Sequence, residues 1–379
     1  AIWTKYERDI IELRRKLHSL PELSRKEFKT TEIIAEFLTA RGIEVTRPLA
    51  TGLVASIKRG SGPVVAFRAD IDALPVKEET ELPFASKNEG CMHACGHDGH
   101  ASMLALGLLA FLEDKSWQGE VRGIFQPSEE MYGGAKPMIE AGALEGVDFI
   151  LALHIWPELP QGVLGGRVGA IMASNDRFSI KVKGQSAHGA APHLGVDPIV
   201  AACNLVTSLQ TLVAREIAPW DGAVLTIGSI EAGTAYNIIP KEATMQGTIR
   251  TLSPQTREKM EASLRRLCHY NAKAFGTEAE VEYVEQYPPT MNHLEAIEFV
   301  KANLPQSLSY RELDHSSMAA EDFAYYIEKV PGALLFLGSG TKEYSYPLHH
   351  SKFSFAEEIL PTGAEVFYNT GKAYLVKDH

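Results

Sequence analysis

The sequence predicts an α/β protein: a larger domain built on a mostly parallel sheet, interrupted by a smaller inserted domain of ferredoxin-like βαββαβ order. Three observations lead there. The chain has 379 residues, more than one typical domain holds. Over roughly the first 170 residues, short apolar runs alternate with helical stripes, the pattern of strands covered by helices on both faces. Near residue 175 the pattern changes to alternating, half-buried strands around two long amphipathic helices. The expected boundaries are 1–174 with 289–379 for the discontinuous larger domain, and 175–288 for the insert.

In order, "TTEIIAEFLTARG" carries Ile33, Ile34, Phe37 and Leu38 on one helical face, with Gly42 as its stop. "PVVAFRADIDALP" comes next as a buried strand ending in Arg68, Asp70 and Asp72. "ASMLALGLLAFLED" is apolar nearly all round and predicts a buried helix, with Asp98 and His100 capping and packing its start. "EVRGIFQ" and "FILALHIW" read as strands, with a helix around "GGAKPMIEAG" between them. In the insert, "DRFSIKVKG", "GAVLTIGSI", "EATMQGTIRTL" and "EAEVEYVEQY" are strands. "DPIVAACNLVTSLQTLVAREI" and "SPQTREKMEASLRRLCHYNAKAFG" are its helices, the second with Ser253 as N-cap. The segment after about 289 returns to α/β character and ends in a helix over "SFAEEILPTGAEVFYNTGKAYLVK". Hinges are expected near 173–176 and 287–291.

A formal net charge of −11 argues against nucleic acid or an anionic membrane surface as main partner. No apolar run approaches membrane-spanning length, and the first residues lack a secretory apolar core. The expected location is the cytoplasm. Four scattered cysteines make no disulfide framework; Cys203 and Cys268 read as buried structural thiols.

Polar residues collect where the strands end: Asp70 and Asp72, Glu129 and Glu130, His154. Open α/β sheets place their ligand sites there. "CMHACGHDGH" could be a redox pair, part of a metal site or a polar loop. Cys91 and Cys95 are spaced C-x-x-x-C, a poor match to C-x-x-C redox motifs. Cys95 and His97 are good zinc ligands around a turning glycine, although two ligands alone make no site. In "FQPSEE", adjacent carboxylates on extended backbone would face opposite sides, one to a metal and one to a water. A solvated acidic loop is the plainer alternative, as a satisfied core histidine is for His154. Taken together, Cys95, His97, Glu130, His154 and one histidine of "LHHSKF" amount to five ligands, enough for two ions, with Glu129 left as general base.

These motifs also carry a resemblance. "RADIDALP", "MHACGHD", "FQPSEE", "LALHIWPELPQG", "AHGAAPH", "GTAYNIIP", "GTIRTL", "AEDFAYY" and "LHHSKF" occur in the order seen in the zinc aminoacylase–carboxypeptidase family. More narrowly the chain resembles its amidohydrolase branch, which includes hippuricase, auxin-conjugate hydrolases and bacterial N-acetyl-amino-acid deacetylases. The resemblance implies a dinuclear-metal hydrolase domain and an inserted dimerisation and lid domain. It implies Cys95, His97, Glu130, His154 and His349 as metal ligands, His349 rather than His350 because it opens the family's H-x-x-x-[FL] ending. It implies Glu129 as general base, Asp72 as support, and Asp70 where distant relatives have a metal histidine. It assigns His188 to the oxyanion in a partner subunit's site, and Asn237 and Arg250 to the substrate carboxylate. Without it, His188 would read as a loop histidine and Arg250 as a surface charge.

The reaction this implies is removal of an N-acyl group, for instance N-acetyl, from a small amino acid by a metal-activated water. The runners-up are an N-acetyl-diaminopimelate deacetylase of lysine synthesis and a carboxypeptidase or dipeptidase with the same machinery. The implied cofactors are two divalent ions, zinc first with manganese, cobalt or nickel as alternatives, and the implied assembly is a homodimer through the insert. Two other classes compete: a non-catalytic metal sensor, and a redox protein using Cys91 and Cys95.

Overall fold

The computed structural model describes residues 2–377. In chain order, helix α1 (Glu7–Ser19) turns Ile10, Leu13 and Leu17 inward, and α2 (Phe28–Thr39) buries Ile33, Ile34 and Leu38. Gly42 ends this unit at φ 82°, a left-handed conformation open to glycine. Strands β1 (Glu44–Thr46), β2 (Leu53–Arg59) and β3 (Val64–Asp70) come next. Helix α3 (His97–Glu113) is buried at every position through Phe111, as a helix apolar all round must be. Strand β4 (Gly119–Gln126), helix α4 (Ala135–Glu140) and strands β5 (Phe149–Pro160) and β6 (Val163–Gly166) complete this stretch.

The middle of the chain is a second compact unit, Met172–Thr290 with Ser316–Glu321. It contains β7 (Asp176–Lys183), α5 (Pro198–Thr211), β8 (Ala223–Ala232), β9 (Glu242–Thr251), α6 (Pro254–Ala274) and β10 (Glu278–Glu285). The strands form an antiparallel sheet in the order β8-β9-β7-β10. Phe178, Ile180 and Val182 of β7 pack with Ala201, Leu205 and Leu209 of α5 and Met260 and Leu264 of α6. Ser253 caps α6, its hydroxyl accepting from the Thr256 N–H at 3.1 Å. Cys268 is buried here, but Cys203 is exposed, contrary to expectation: Ala201, Ala202 and Leu205 make the inner face of α5 and Cys203 lies off it.

The larger unit resumes with α7 (Leu294–Ala302), β11 (Ser309–Glu312), β12 (Gly332–Gly340) and α8 (Ile359–Val376). Its eight-stranded sheet runs β1-β2-β4-β3-β5-β12-β6-β11. The pairs β4/β3, β3/β5, β5/β12 and β6/β11 are parallel; β1/β2, β2/β4 and β12/β6 are antiparallel. The central strands β3, β5 and β12 are therefore apolar runs buried on both faces, as parallel strands are. Helix α8 lies directly on α3 at Gly363, where a Cβ would fall 2.1 Å from the Met103 sulphur. Among the described residues no helix is long and apolar enough to cross a membrane.

Candidate metal centre

The parallel pairing of β4, β3 and β5 sets their C-terminal ends side by side. Asp70 ends β3, Gln126 ends β4 just before Glu129 and Glu130, and His154 lies in β5. Between β3 and α3 the chain returns through Cys95-Gly96-His97. Gly96 is the N-cap of α3 at φ 80°, with Ile155 side-chain atoms 3.3 Å from where its Cβ would stand. A side chain there would be strained and crowded, so glycine lets Cys95 and His97 flank one sharp turn.

The result is a buried cluster. Cys95 is 7% exposed, His97 0%, His154 4% and Glu129 6%. Cys95 Sγ lies 3.6 Å from His154 Nε2, and His97 Nε2 lies 3.6 Å from Glu130 Oε1. His349 Nε2 lies 3.3 Å from the same Glu130 oxygen. Tetrahedral ligands about 2.1 Å from one ion stand about 3.4 Å apart, so these separations have the span that a shared cation needs. Ligand atoms of Cys95, Glu130 and His349 fall within 4.8 Å of one another, as do those of His97, Glu129 and Glu130.

His97 and His154 each have one ring nitrogen committed and the other turned into the cluster. His97 Nδ1 donates to the Asp72 carbonyl at 2.8 Å, with Asp72 Oδ1 at 3.2 Å. His154 Nδ1 donates to the Ile155 carbonyl at 2.7 Å. Metal-bound histidines are commonly fixed in this way by a carbonyl or carboxylate behind the ring. His97 Nε2 and Glu130 Oε1 are buried with no hydrogen-bond partner. Such atoms are costly unless something fills the gap, and a cation would. His349 sits at φ 67° with its N–H donating to the Ala94 carbonyl at 2.8 Å, which ties the C-terminal loop beside Cys95. His350 instead stacks on Tyr346, its Nδ1 accepting from the Lys352 N–H.

Two buried groups that the sequence reading leaves outside the site are built into it. Asp70 Oδ1 accepts from His100 Nδ1 at 2.5 Å, and Asp70 Oδ2 lies 3.4 Å from His97 Nε2. His100 Nε2 accepts from the Ile155 N–H at 2.9 Å, so both its nitrogens are committed and it braces the centre from behind. The signal was its position one helical turn beyond His97 on a buried helix. Contrary to the expectation that it caps that helix, Asp98 accepts from Arg14 Nε and His18 Nδ1, each at 2.9 Å, and the N-cap is Gly96. Nor are Glu129 and Glu130 on extended backbone: they form a turn after Ser128, which has φ 60°.

The charges reflect this crowding. Burial opposes the His97 imidazolium, but the carboxylates of Asp70, Asp72 and Glu130 outweigh it and raise its pKa to about 10. Burial, then Glu130, Glu129 and Asp70, push the Cys95 thiol well above its ordinary range. Burial, helped by His100, holds His154 neutral. Burial resists ionisation of Glu130, but the His349 ring beside it and the His97 charge hold its pKa low. Asp72 Oδ2 accepts from Ser24 Oγ at 2.7 Å and from the Glu130 N–H at 3.0 Å, so one side chain orients both His97 and Glu130.

His188, Asn237 and Arg250 belong to the second unit. His188 is exposed on a two-residue strand paired with Ile238–Ile239, and its Nδ1 accepts from the Ala190 N–H at 3.0 Å. Asn237 is exposed beside it, its carbonyl accepting from the Gly189 N–H at 2.8 Å. Arg250 is half-buried on β9; burial lowers its pKa and Asp176 partly offsets this.

Residues 66–372 match the sequence model of peptidase family M20/M25/M40. The chain belongs to that family. It is a hydrolase of amide bonds. Thermostable carboxypeptidase 1 of Saccharolobus solfataricus is 43% identical over 365 residues, covering 94% of this chain and 92% of the relative. An N-acetylcysteine deacetylase of Bacillus subtilis is 41% identical over 366 residues, covering 94% of each chain. The crystal structure of the Bacillus subtilis YXEP protein, described as a dinuclear metal binding peptidase from the M20 family, superposes with a TM-score of 0.87 at 36% identity. That match covers 98% of this chain and 99% of the other.

Proposed function

We propose that this M20 hydrolase removes an N-acyl group, N-acetyl first among the candidates, from a small amino acid. The observation that carries the reading is a buried thiol and two buried imidazoles, Cys95, His97 and His154, set at ligand spacing with Glu129, Glu130 and the more exposed His349. Cys95, His97, Glu130, His154 and His349 would hold two divalent ions; a thiol among imidazoles and carboxylates favours zinc over manganese, cobalt or nickel. Bound there, the ions polarise an acyl carbonyl and acidify water.

The chain's own residues supply the rest. Glu129 takes a proton from the attacking water and delivers it to the nitrogen as the C–N bond breaks, leaving a free amine and a carboxylate. Asp72 holds His97 and Glu130 in place. His188, contributed by a second copy of the chain, donates to the developing oxyanion. Asn237 and Arg250 bind the substrate's α-carboxylate, the guanidinium by a bidentate pair. On this reading the second unit is a ferredoxin-like insert serving as lid and dimer contact, over the 175–288 span that the sequence suggests. Four free cysteines suit a reducing cytoplasm.

A carboxypeptidase and a deacetylase stand at nearly the same distance, 43% and 41% identity, so overall similarity does not choose the acyl group. An N-acetyl-diaminopimelate substrate or a dipeptide would use the same proton transfers. The test is Glu129→Gln, assayed on N-acetyl, N-benzoyl and dipeptide substrates with ion content measured in parallel. Ions should remain bound while kcat falls at least about 100-fold, the usual scale for a general base. Near-normal turnover would sink the assignment.

A further inference from the structure

The acid pair Glu129–Glu130 comes after a residue in an unfavourable conformation. Among the described residues only five non-glycine positions have positive φ: Arg25, Glu81, Ser128, Tyr132 and His349. His349 is in the metal centre. Three others form a cluster beside it: the Arg25 N–H donates to Ser128 Oγ at 2.9 Å, and the Arg25 guanidinium lies 4.0 Å from the Tyr132 ring centroid. Left-handed backbone at non-glycine residues persists only where the surroundings over-determine it, and it gathers at functional sites.

Ser128 is over-determined. Its carbonyl accepts from the Gly133 and Gly134 N–H groups, each at 3.1 Å, and its hydroxyl is held by Arg25. Its own N–H donates to Glu27 Oε1 at 2.8 Å, and its hydroxyl lies 3.4 Å from the same oxygen. Glu27 is wholly buried and fixed at the head of α2, where its carbonyl accepts from the Thr31 N–H at 3.0 Å and the Thr31 hydroxyl at 2.6 Å. Its second oxygen, Oε2, is buried with no hydrogen-bond partner. Burying a carboxyl group costs free energy, and here its contacts run to the N–H and hydroxyl of the residue just before the acid pair. The arrangement makes sense as orientation. Three residues earlier, Ser24 braces Asp72, which holds the Glu130 N–H. The segment 24–27 therefore grips the acid pair from both sides.

We infer that Glu27 is a positioning residue, which acts through the strained Ser128 to aim the Glu129 carboxylate at the reacting water. The inference rests on Glu129 being the general base. A shift of about 1 Å in a proton-transfer group lowers turnover about 100-fold without altering how substrate is held.

The experiment uses the ion-loaded enzyme. Glu27→Ala should lower kcat about 30- to 100-fold, with KM, ion content and dimer state unchanged. Glu27→Gln keeps an acceptor for the Ser128 N–H and should stay within about threefold of the parent. Ser128→Gly in the Glu27→Ala background should recover at least about fivefold in kcat, because glycine takes positive φ without a clamp. A purely structural role predicts instead loss of folded protein or of ions, with no recovery from the glycine. An unchanged kcat in Glu27→Ala, a Gln variant as impaired as Ala, or no recovery from Ser128→Gly each overturns the inference. Turnover surviving Glu129→Gln would sink the base assignment itself, a separate result.

Discussion

Metal uptake should release protons, and the number can be worked out from the cluster. Without ions, burial and the surrounding carboxylates keep the Cys95 thiol protonated, and Asp70, Asp72 and Glu130 keep His97 an imidazolium up to about pH 10. His154 is already neutral and Glu130 already ionised. A thiol and an imidazolium cannot ligate; a thiolate and a neutral imidazole can. Binding at pH 7–8 therefore has to expel two protons from these side chains. The overall constant for loading both ions should then rise about 100-fold per pH unit, or about 2.7 kcal/mol, from two steps of about 1.36 kcal/mol each. The sign is fixed: affinity is weakest in acid and the slope flattens as pH passes the His97 value.

Isothermal titration in buffers of different ionisation enthalpy counts these protons directly. A water molecule ionising on the ions would add to the total, so the informative quantity is a difference. Cys95→Ala should release one proton fewer than the parent at the same pH. Equal release from both proteins, or fewer than one proton from the parent, would refute the reasoning, because Cys95 and His97 would then already stand in their ligand forms.

Two further outcomes are expected. Cys91 and Cys95 should behave oppositely: burial pushes the Cys91 thiol up to about 11, which makes it inert, so Cys91→Ser should keep activity within about twofold while Cys95→Ser loses ion binding and turnover; dependence on Cys91 would revive a redox reading. In the second unit, Asp176 is fully buried and accepts from Arg257 Nη2 at 2.6 Å, the Tyr283 hydroxyl at 2.8 Å and the Gln286 N–H at 3.2 Å. Asp176→Ala strands the mostly buried Arg257 charge and should cost about 3–5 kcal/mol in urea unfolding; a loss below about 1 kcal/mol would contradict this.

What the sequence makes legible is residue chemistry at strand ends. β3, β4 and β5 announce themselves as apolar runs, and the polar residues after them mark one edge of the sheet. What it hides is pairing across long separations. Nothing local says that Gly332–Gly340 lies parallel beside the His154 strand, setting Phe336 opposite His154. Nor does any pattern show that Glu27, some hundred residues away, reaches the Ser128 N–H. Glu129 and Glu130 read as extended because their neighbours do; the turn depends on Ser128 holding a conformation that only tertiary contacts sustain. Cys203 reads as buried because α5 is apolar on average, whereas burial is decided face by face.

"CMHACGHDGH" shows the same division in ten residues. Cys95 and His97 face the ligand cluster as their chemistry suggests, and Gly96 has the backbone angle that a turn between them demands. Two of the remaining polar side chains, His100 and Asp98, do more than pack. His100 ties Asp70 to the backbone beside His154, and Asp98 joins α3 to Arg14 and His18 of α1. His93 is buried with neither ring nitrogen hydrogen-bonded, and burial lowers its pKa to about 4, so it sits there neutral. The first turn of α3 thus carries a proposed ligand in His97, a brace in His100 that bonds Asp70 and the Ile155 N–H, and an anchor to another helix in Asp98. A helix periodicity of 3.6 residues allows this: positions 97 and 100 lie about 60° apart on one face, where both meet Asp70, while position 98 is turned about 100° from 97 toward α1. Substitutions at His97 or His100 should therefore act on both stability and ion affinity, whereas Cys91→Ser, outside the turn, should leave ion affinity unchanged.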